Sequence, residues 1–201
     1  MEYYSRDIEI KLSDDNLYDA FMRAPSTIQN IKNIKKILVK YLTEEEKIND
    51  LCKDLSHMLI KPGAKGVIRG NKFNDLVFNE IKKYYPCVEK EQYPNIENFD
   101  RKKYEKPDCL IRIDNNKYIC IYNQVDFWSG GAQTNRGAKY ILNEEFHDIP
   151  NVKILSIICK KLESKSVRCI NILKKGISTN RLCYFNAIPI IIPELIKQLS
   201  G

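Results

Sequence analysis

The chain is poor in the residues that build metal centres and covalent frameworks. Its two histidines, His57 and His147, are too few for a multi-histidine metal site, and each reads as a helix-face or surface residue. Seven cysteines, at 52, 87, 109, 120, 159, 169 and 183, form no CxxC pair, and several lie in apolar runs such as Ile157-Ile158-Cys159. They read as buried thiols of a reducing cytosol, which excludes a disulfide scaffold or a zinc site. No stretch reaches the ~18 apolar residues of a membrane span, and MEYYSRDIEIKL carries acidic groups where a signal peptide has its apolar core. The glycines at 63, 66 and 70 lack the Gly-Lys-Ser/Thr order of a Walker A loop, so no nucleotide cofactor is expected. Internal repeats and low-complexity tracts are absent. The expectation is a soluble, intracellular (cytoplasmic) protein with no membrane partner.

With 201 residues the chain is long enough for a domain with a sizeable core, or a core with a small helical extension. Its net charge of +7, from 33 Lys and Arg against 26 Asp and Glu, suits a polyanionic partner as well as a plainly solvated lysine surface. From Asp14 to about Ile60 the periodicity is helical. Leu17, Phe21 and Met22 share a face, and Ile28, Ile31, Ile34, Ile37, Leu38 and Tyr41 recur at three- and four-residue steps. Pro25-Ser26 supplies a break and an N-cap, and Thr43-Glu44-Glu45-Glu46 is a capping-box pattern opening a helix through Leu51, Leu55 and Leu59. Residues 1–60 are expected to be an N-terminal helical extension packed on a core formed by 61–201. Lys32, Lys35, Lys36 and Lys40 outline either a solvated face or an arm for DNA or dimerisation.

Lys61 to Gly70 reads as a glycine-punctuated loop leading into a helix from Asn71 to Tyr85. Lys65, Arg69 and Lys72 at that helix amino end would suit a DNA phosphate, the bland alternative being a loop capped by Asn71. Pro86 to Lys106 is irregular and polar. Cys109–Ile113 and Lys117–Val125 read as strands around Asp114-Asn115-Asn116, a hairpin signal. Gly130-Gly131 breaks the chain before a helix from Ala132 to Phe146. Asn151 to Cys159 reads as a strand buried on both faces, Ser166 to Lys175 as a helix, Leu182 to Phe185 as a strand and Pro193 to Leu199 as a final helix. The fold class implied is α/β, a mixed central sheet flanked by helices with an N-terminal helical segment.

Pairing the hairpin about Asn116 sets Asp108 across from Gln124, and strand alternation then puts Asp126 on their face. These oxygen donors suit Mg²⁺, which takes one or two carboxylates plus a substrate phosphate. A slip of one residue would put Asn123 opposite Asp108 instead.

Pro107-Asp108, a hairpin, and the pair Gln124 and Asp126 on the next strand resemble the PD-(D/E)XK nuclease superfamily. The run from Asp126 to Tyr140, DFWSGGAQTNRGAKY, looks like small type II restriction endonucleases. The resemblance implies a restriction-endonuclease-like fold over roughly Gly66 to Phe185. It also implies Mg²⁺-dependent, sequence-specific hydrolysis of double-stranded DNA by a homodimer, with Asp108, Gln124 and Asp126 as metal and catalytic residues. Gln124 stands where the family usually has Glu or Asp, and Asp126 where it has Lys. Lys139 could replace the missing lysine from the neighbouring helix, Arg136 could add charge, and Glu80 could add a carboxylate from the first helix. Gln133, Asn135 and Arg136 suit base edges or phosphates, their alternative being a solvated helix start. Trp128 reads as a core or rim aromatic, the alternative being stacking or wedging against bases. The rivals are a structure-selective or repair nuclease of the same fold and a catalytically inactive DNA-binding module.

Overall fold

The computed structural model describes residues 21–58, 62–97, 99–125, 132–159 and 166–200. These group into two compact units, residues 21–72 and residues 73–200. No helix among the described residues is long and apolar enough to cross a membrane.

The first unit holds α1 (Pro25–Leu38), α2 (Glu45–Met58) and the opening turns of α3 (Pro62–Tyr84). Pro25 occupies the first turn of α1, where its missing N–H costs nothing. The cap is Ala24 rather than Ser26, and it makes no side-chain capping bond. Glu45 and Glu46 open α2 as the acidic run predicts. Its inward face is Ile48, Cys52 and Ser56, whereas Leu51 and Leu55 are exposed, contrary to expectation. Ser56 tolerates burial because its hydroxyl donates to Cys52 O at 2.6 Å. The isoleucine stripe of α1 is likewise split, with Ile28 and Ile37 facing solvent. Lys35 ties the two helices by donating to Glu45 Oε1 and Asn49 Oδ1 at 3.2 and 3.1 Å.

The expected glycine loop is a helix. Residues 62–70 form the first turns of α3, and a Cβ at Gly66 or Gly70 would meet nothing within 4 Å. Glycine here weakens a helix without preventing it. Arg69 and Lys72 therefore sit inside α3, away from its amino end, and the anion-binding geometry expected of them is lost. They and Lys65 belong to the first unit, and of the Lys65 side chain nothing is described.

In the second unit a five-stranded sheet runs in the order β1 (Glu89–Lys90), β2 (Cys109–Arg112), β3 (Tyr118–Gln124), β4 (Val152–Ile158), β5 (Leu182–Tyr184). The first three strands are antiparallel, and β3, β4 and β5 are parallel. This is a mixed α/β architecture. One sheet face carries Cys109, Ile111, Ile119, Ile121, Leu155 and Ile157 against Phe73, Val77 and Ile81 of α3 and the isoleucines of α6 (Ile188–Ser200). The other face carries Leu110, Tyr118, Cys120, Tyr122 and Ile154 against Tyr140 and Phe146, and Ile158 and Leu182 against Ile141 and Ile172. Strands covered on both faces read as unbroken apolar runs, which is why β4 was legible.

The segment between β3 and β4 is composite: α4 (Ala132–Gly137), a π-helical turn (Ala138–Leu142) and a 3₁₀ turn (Glu144–Phe146). Asn143 closes the π turn by donating its N–H to Ala138 O, and its side chain accepts from Glu145 N. Helix α5 (Val167–Ser178) returns the chain to β5. The last helix begins five residues earlier than Pro193 implied; the stripe Ile188, Ile191, Ile192, Leu195 and Leu199 is buried, and that packing outweighs the proline inside it. None of the seven cysteines is in a disulfide; six are buried and Cys87 is exposed.

Candidate functional site

Asp108 is the final residue before β2, and its backbone is held on both sides. Its N–H donates to Ile121 O at 2.9 Å, and its carbonyl accepts from Glu91 N at 3.3 Å. Because β2 runs antiparallel to β3, Asp108 lies at the carboxyl end of β3. That is also the carboxyl end of β4 and β5, the edge at which open α/β sheets bind ligands.

The hairpin register differs from the one expected. Cys109 pairs with Ile121, Ile111 with Ile119 and Arg112 with Tyr118, so the turn is centred on Asn115 and Tyr122, not Gln124, stands level with Asp108. The cause is local. Asp114 Oδ1 accepts the Asn116 N–H at 3.0 Å, and Ile113 N–H closes the loop on Lys117 O at 2.9 Å, which sets the reversal two residues tighter than pairing about Asn116. A two-residue shift keeps each side chain on its own face. Alternation places Gln124 on the face of Tyr122 and Asn123 on the α3 face.

Asn123 is the residue that meets the carboxylate. Its backbone N–H donates to Asp108 Oδ2 at 2.7 Å, and Asn74 of α3 donates its amide to Oδ1 at 3.0 Å. Asn123 Nδ2 in turn donates to Asn74 Oδ1 at 3.1 Å, closing a three-residue network. Asn123 is buried, and its Oδ1 has no hydrogen-bond partner. Burial raises the Asp108 pKa above the ordinary carboxylate value. The bonds from Asn123 and Asn74 and the positive charge of Arg136 work against that rise, and the nearby Glu91 carboxylate adds to it. Glu91 adopts a positive φ of 49°, in the left-handed region.

Arg136 and Lys139 share a partner not singled out in the sequence. Glu105 Oε2 lies 3.1 Å from Arg136 Nε, and Glu105 Oε1 lies 3.6 Å from Lys139 Nζ. Lys139 also sits over the rings of Tyr140 and Phe146, at 5.0 and 5.2 Å. Asn135 is exposed.

Glu80 is not brought to this group. It is ion-paired with Lys83 on α3 and lies six residues beyond Asn74, about 9 Å along the helix axis. Asp126 and Trp128 lie outside the described residues, as does the side chain of Gln133. Among the described residues no group of three or more His, Cys, Asp or Glu stands together to hold a metal.

Four participants, Asn74, Glu91, Glu105 and Asn123, lay outside the sequence motif. Only Asn123 had a sequence signal, as the residue a one-residue slip would set opposite Asp108; the register sets Tyr122 there, and Asn123 reaches the carboxylate through its backbone N–H. No family model, no curated protein sequence and no solved structure matches the chain.

Proposed function

We propose that the chain is a Mg²⁺-dependent endonuclease of double-stranded DNA, of the type II restriction kind, acting as a homodimer. The observation that carries this reading is Asp108 itself. It is a half-buried carboxylate locked by Asn74 and Asn123 at the carboxyl edge of the parallel strands, with the Arg136 charge acting on it. A hard divalent cation takes oxygen donors, at least one of them a carboxylate, and leaves positions for substrate phosphate. Asp108 is a carboxylate of that kind, and it is held by Asn123, whose Oδ1 has no hydrogen-bond partner. One carboxylate with an amide oxygen suits a magnesium ion completed by substrate and water rather than an all-protein cage. When bound, such an ion neutralises charge on the attacked phosphate and acidifies a water.

The chain's own residues carry the rest. Asn74 and Asn123 keep the Asp108 carboxylate oriented and partly offset the cost of burying its charge. Arg136 and Lys139 supply cations where a phosphodiester would approach, and the net charge of +7 favours encounter with DNA.

The test is digestion of a long mixed-sequence duplex by the purified protein, with Mg²⁺ or with chelator. Discrete metal-dependent fragments are expected, and Asp108→Ala is expected to abolish them. Metal-dependent smearing would instead favour a nuclease of weak sequence preference. Retarded but intact DNA would favour a binding module, and full cutting by Asp108→Ala would refute the site.

A further inference from the structure

We propose that Glu105 is a positioning residue that presents Arg136 and Lys139 as a paired clamp for a phosphate beside Asp108. The identity of that phosphate as part of a DNA phosphodiester rests on the reading above; the clamp itself rests on geometry.

Glu105 lies in the irregular segment before β2, where a backbone is ordinarily free to move. Here both of its backbone groups are taken. Its N–H donates to the Tyr140 hydroxyl at 3.1 Å, and its carbonyl accepts from the Tyr122 hydroxyl at 2.9 Å. Both tyrosines are 1% exposed, so the mount is part of the core. The carboxylate is thereby held at a fixed point, three residues before Asp108, and is shared between two cations.

The way the cations are held matters chemically. Glu105 pairs with Arg136 by charge at Nε, 3.1 Å away and without a hydrogen bond. A guanidinium matches two oxygens of a phosphate through its Nη edge, and holding it beforehand lowers the ordering cost of binding. Lys139 is restrained from both sides, by the Glu105 carboxylate and by the ring faces of Tyr140 and Phe146. It rises from the π-helical turn, a local irregularity that recurs at functional sites because it re-aims side chains. Arg136 is also the cation whose charge acts on Asp108, so clamp and carboxylate serve one edge of the sheet.

A carboxylate that merely neutralised two surface cations would hinder an incoming phosphate, and its removal would tighten binding. A positioning carboxylate does the opposite. The experiment measures affinity for inorganic pyrophosphate by calorimetry, and for a short duplex by retardation, both in chelator, for wild type, Glu105→Ala, Glu105→Gln, Arg136→Ala and the double variant Glu105→Ala with Arg136→Ala. Glu105→Ala and Arg136→Ala are each expected to weaken both ligands by roughly three- to tenfold, with the double variant no weaker than Arg136→Ala alone. Glu105→Gln removes the charge that pairs with both cations and is expected to weaken binding as Glu105→Ala does; binding at the wild-type level would overturn the clamp. Melting is expected to be unchanged throughout, because the two backbone bonds of Glu105 do not involve its side chain.

Tighter or equal binding by Glu105→Ala, losses that multiply in the double variant, or wild type binding neither ligand would overturn the clamp. Coupling seen with pyrophosphate but no retention of duplex would leave the clamp standing and remove DNA as its substrate. Duplex retention without coupling would do the reverse.

Discussion

Tyr122 and Tyr140 stack with ring centroids 4.1 Å apart and planes 12° from parallel, one from β3 and one from the π turn. Burial raises both phenols, Tyr140 to about 12, so neither hydroxyl titrates near neutral pH. Each hydroxyl meets one backbone group of Glu105. Tyr140→Phe keeps the stack and removes the acceptor for the Glu105 N–H. That change is expected to cost on the order of 1–3 kcal/mol in urea unfolding, the penalty of an unsatisfied polar group where water has poor access. A loss of affinity for pyrophosphate is expected alongside it. Unchanged stability would mean that Glu105 is not mounted as described.

Asn74 is expected to tune Asp108 without touching substrate. Its amide bond lowers the Asp108 pKa against the rise caused by burial. Asn74→Leu removes that bond, so the pKa rises further and the charged carboxylate persists only at higher pH. The acid limb of kcat/KM for DNA cutting is expected to move upward in pH, with the alkaline limb unmoved. An acid limb at the wild-type position would detach Asn74 from the site.

Two glycines that look alike in sequence are expected to respond in opposite directions. A Cβ at Gly176 would lie 2.5 Å from Leu182 Cβ and 3.1 Å from Ile141 Cγ2, where α5 presses on β5. Gly176→Ala is therefore expected to destabilise by about 1–3 kcal/mol through overpacking. At Gly66 nothing lies within 4 Å and the residue is inside α3. Gly66→Ala is expected to stabilise by about 0.5–1 kcal/mol. Chemical denaturation of both variants decides, and a loss at Gly66 would return residues 62–70 to the loop first expected of them.

His147 is expected to govern stability below neutral pH. Burial is the main cause holding its pKa down at about 4, against an ordinary 6.5, and the nearby Arg181 charge adds to it. The neutral ring bonds to Tyr140 O through Nε2 at 2.8 Å. A depressed folded pKa means that the unfolded chain takes the proton first. The stabilisation is whole above pH 6.5 and is lost as pH falls from there through about 4. Asp108 works in the opposite sense over its own range, since its raised pKa favours the folded state on protonation. His147→Gln, which keeps an N–H for Tyr140 O, is expected to flatten the decline in urea midpoint between pH 6.5 and 4.

Much of the architecture was legible because it is written in local patterns. The run from Val152 to Ile158 announced a strand covered on both faces, and Cys109 to Arg112 and Tyr118 to Gln124 announced a hairpin through their apolar content and the Asp-Asn-Asn turn. Glu45 and Glu46 marked the start of α2. The two-residue β1 was not legible, since a strand of that length has no period. The glycines of α3 and the proline of α6 misled for one reason: punctuation residues state a local preference, and burial of Phe73, Val77 and Ile81 or of the α6 isoleucines overrules it.

By itself the sequence determined most of the element types, the mixed sheet and the place of Asp108 at the mouth of the hairpin, because these follow from periodicity, turn chemistry and residue order. Only the tertiary structure decided which groups surround that carboxylate. Asn74 stands 34 residues before Asp108, Arg136 pairs with Glu105, and the register sets Tyr122 rather than Gln124 level with Asp108, so that the backbone N–H of Asn123 meets the carboxylate. Such meetings depend on how α3 and the π turn pack against β2 and β3. A local pattern records which face of each element is apolar, but not which polar residues at their ends that packing brings together.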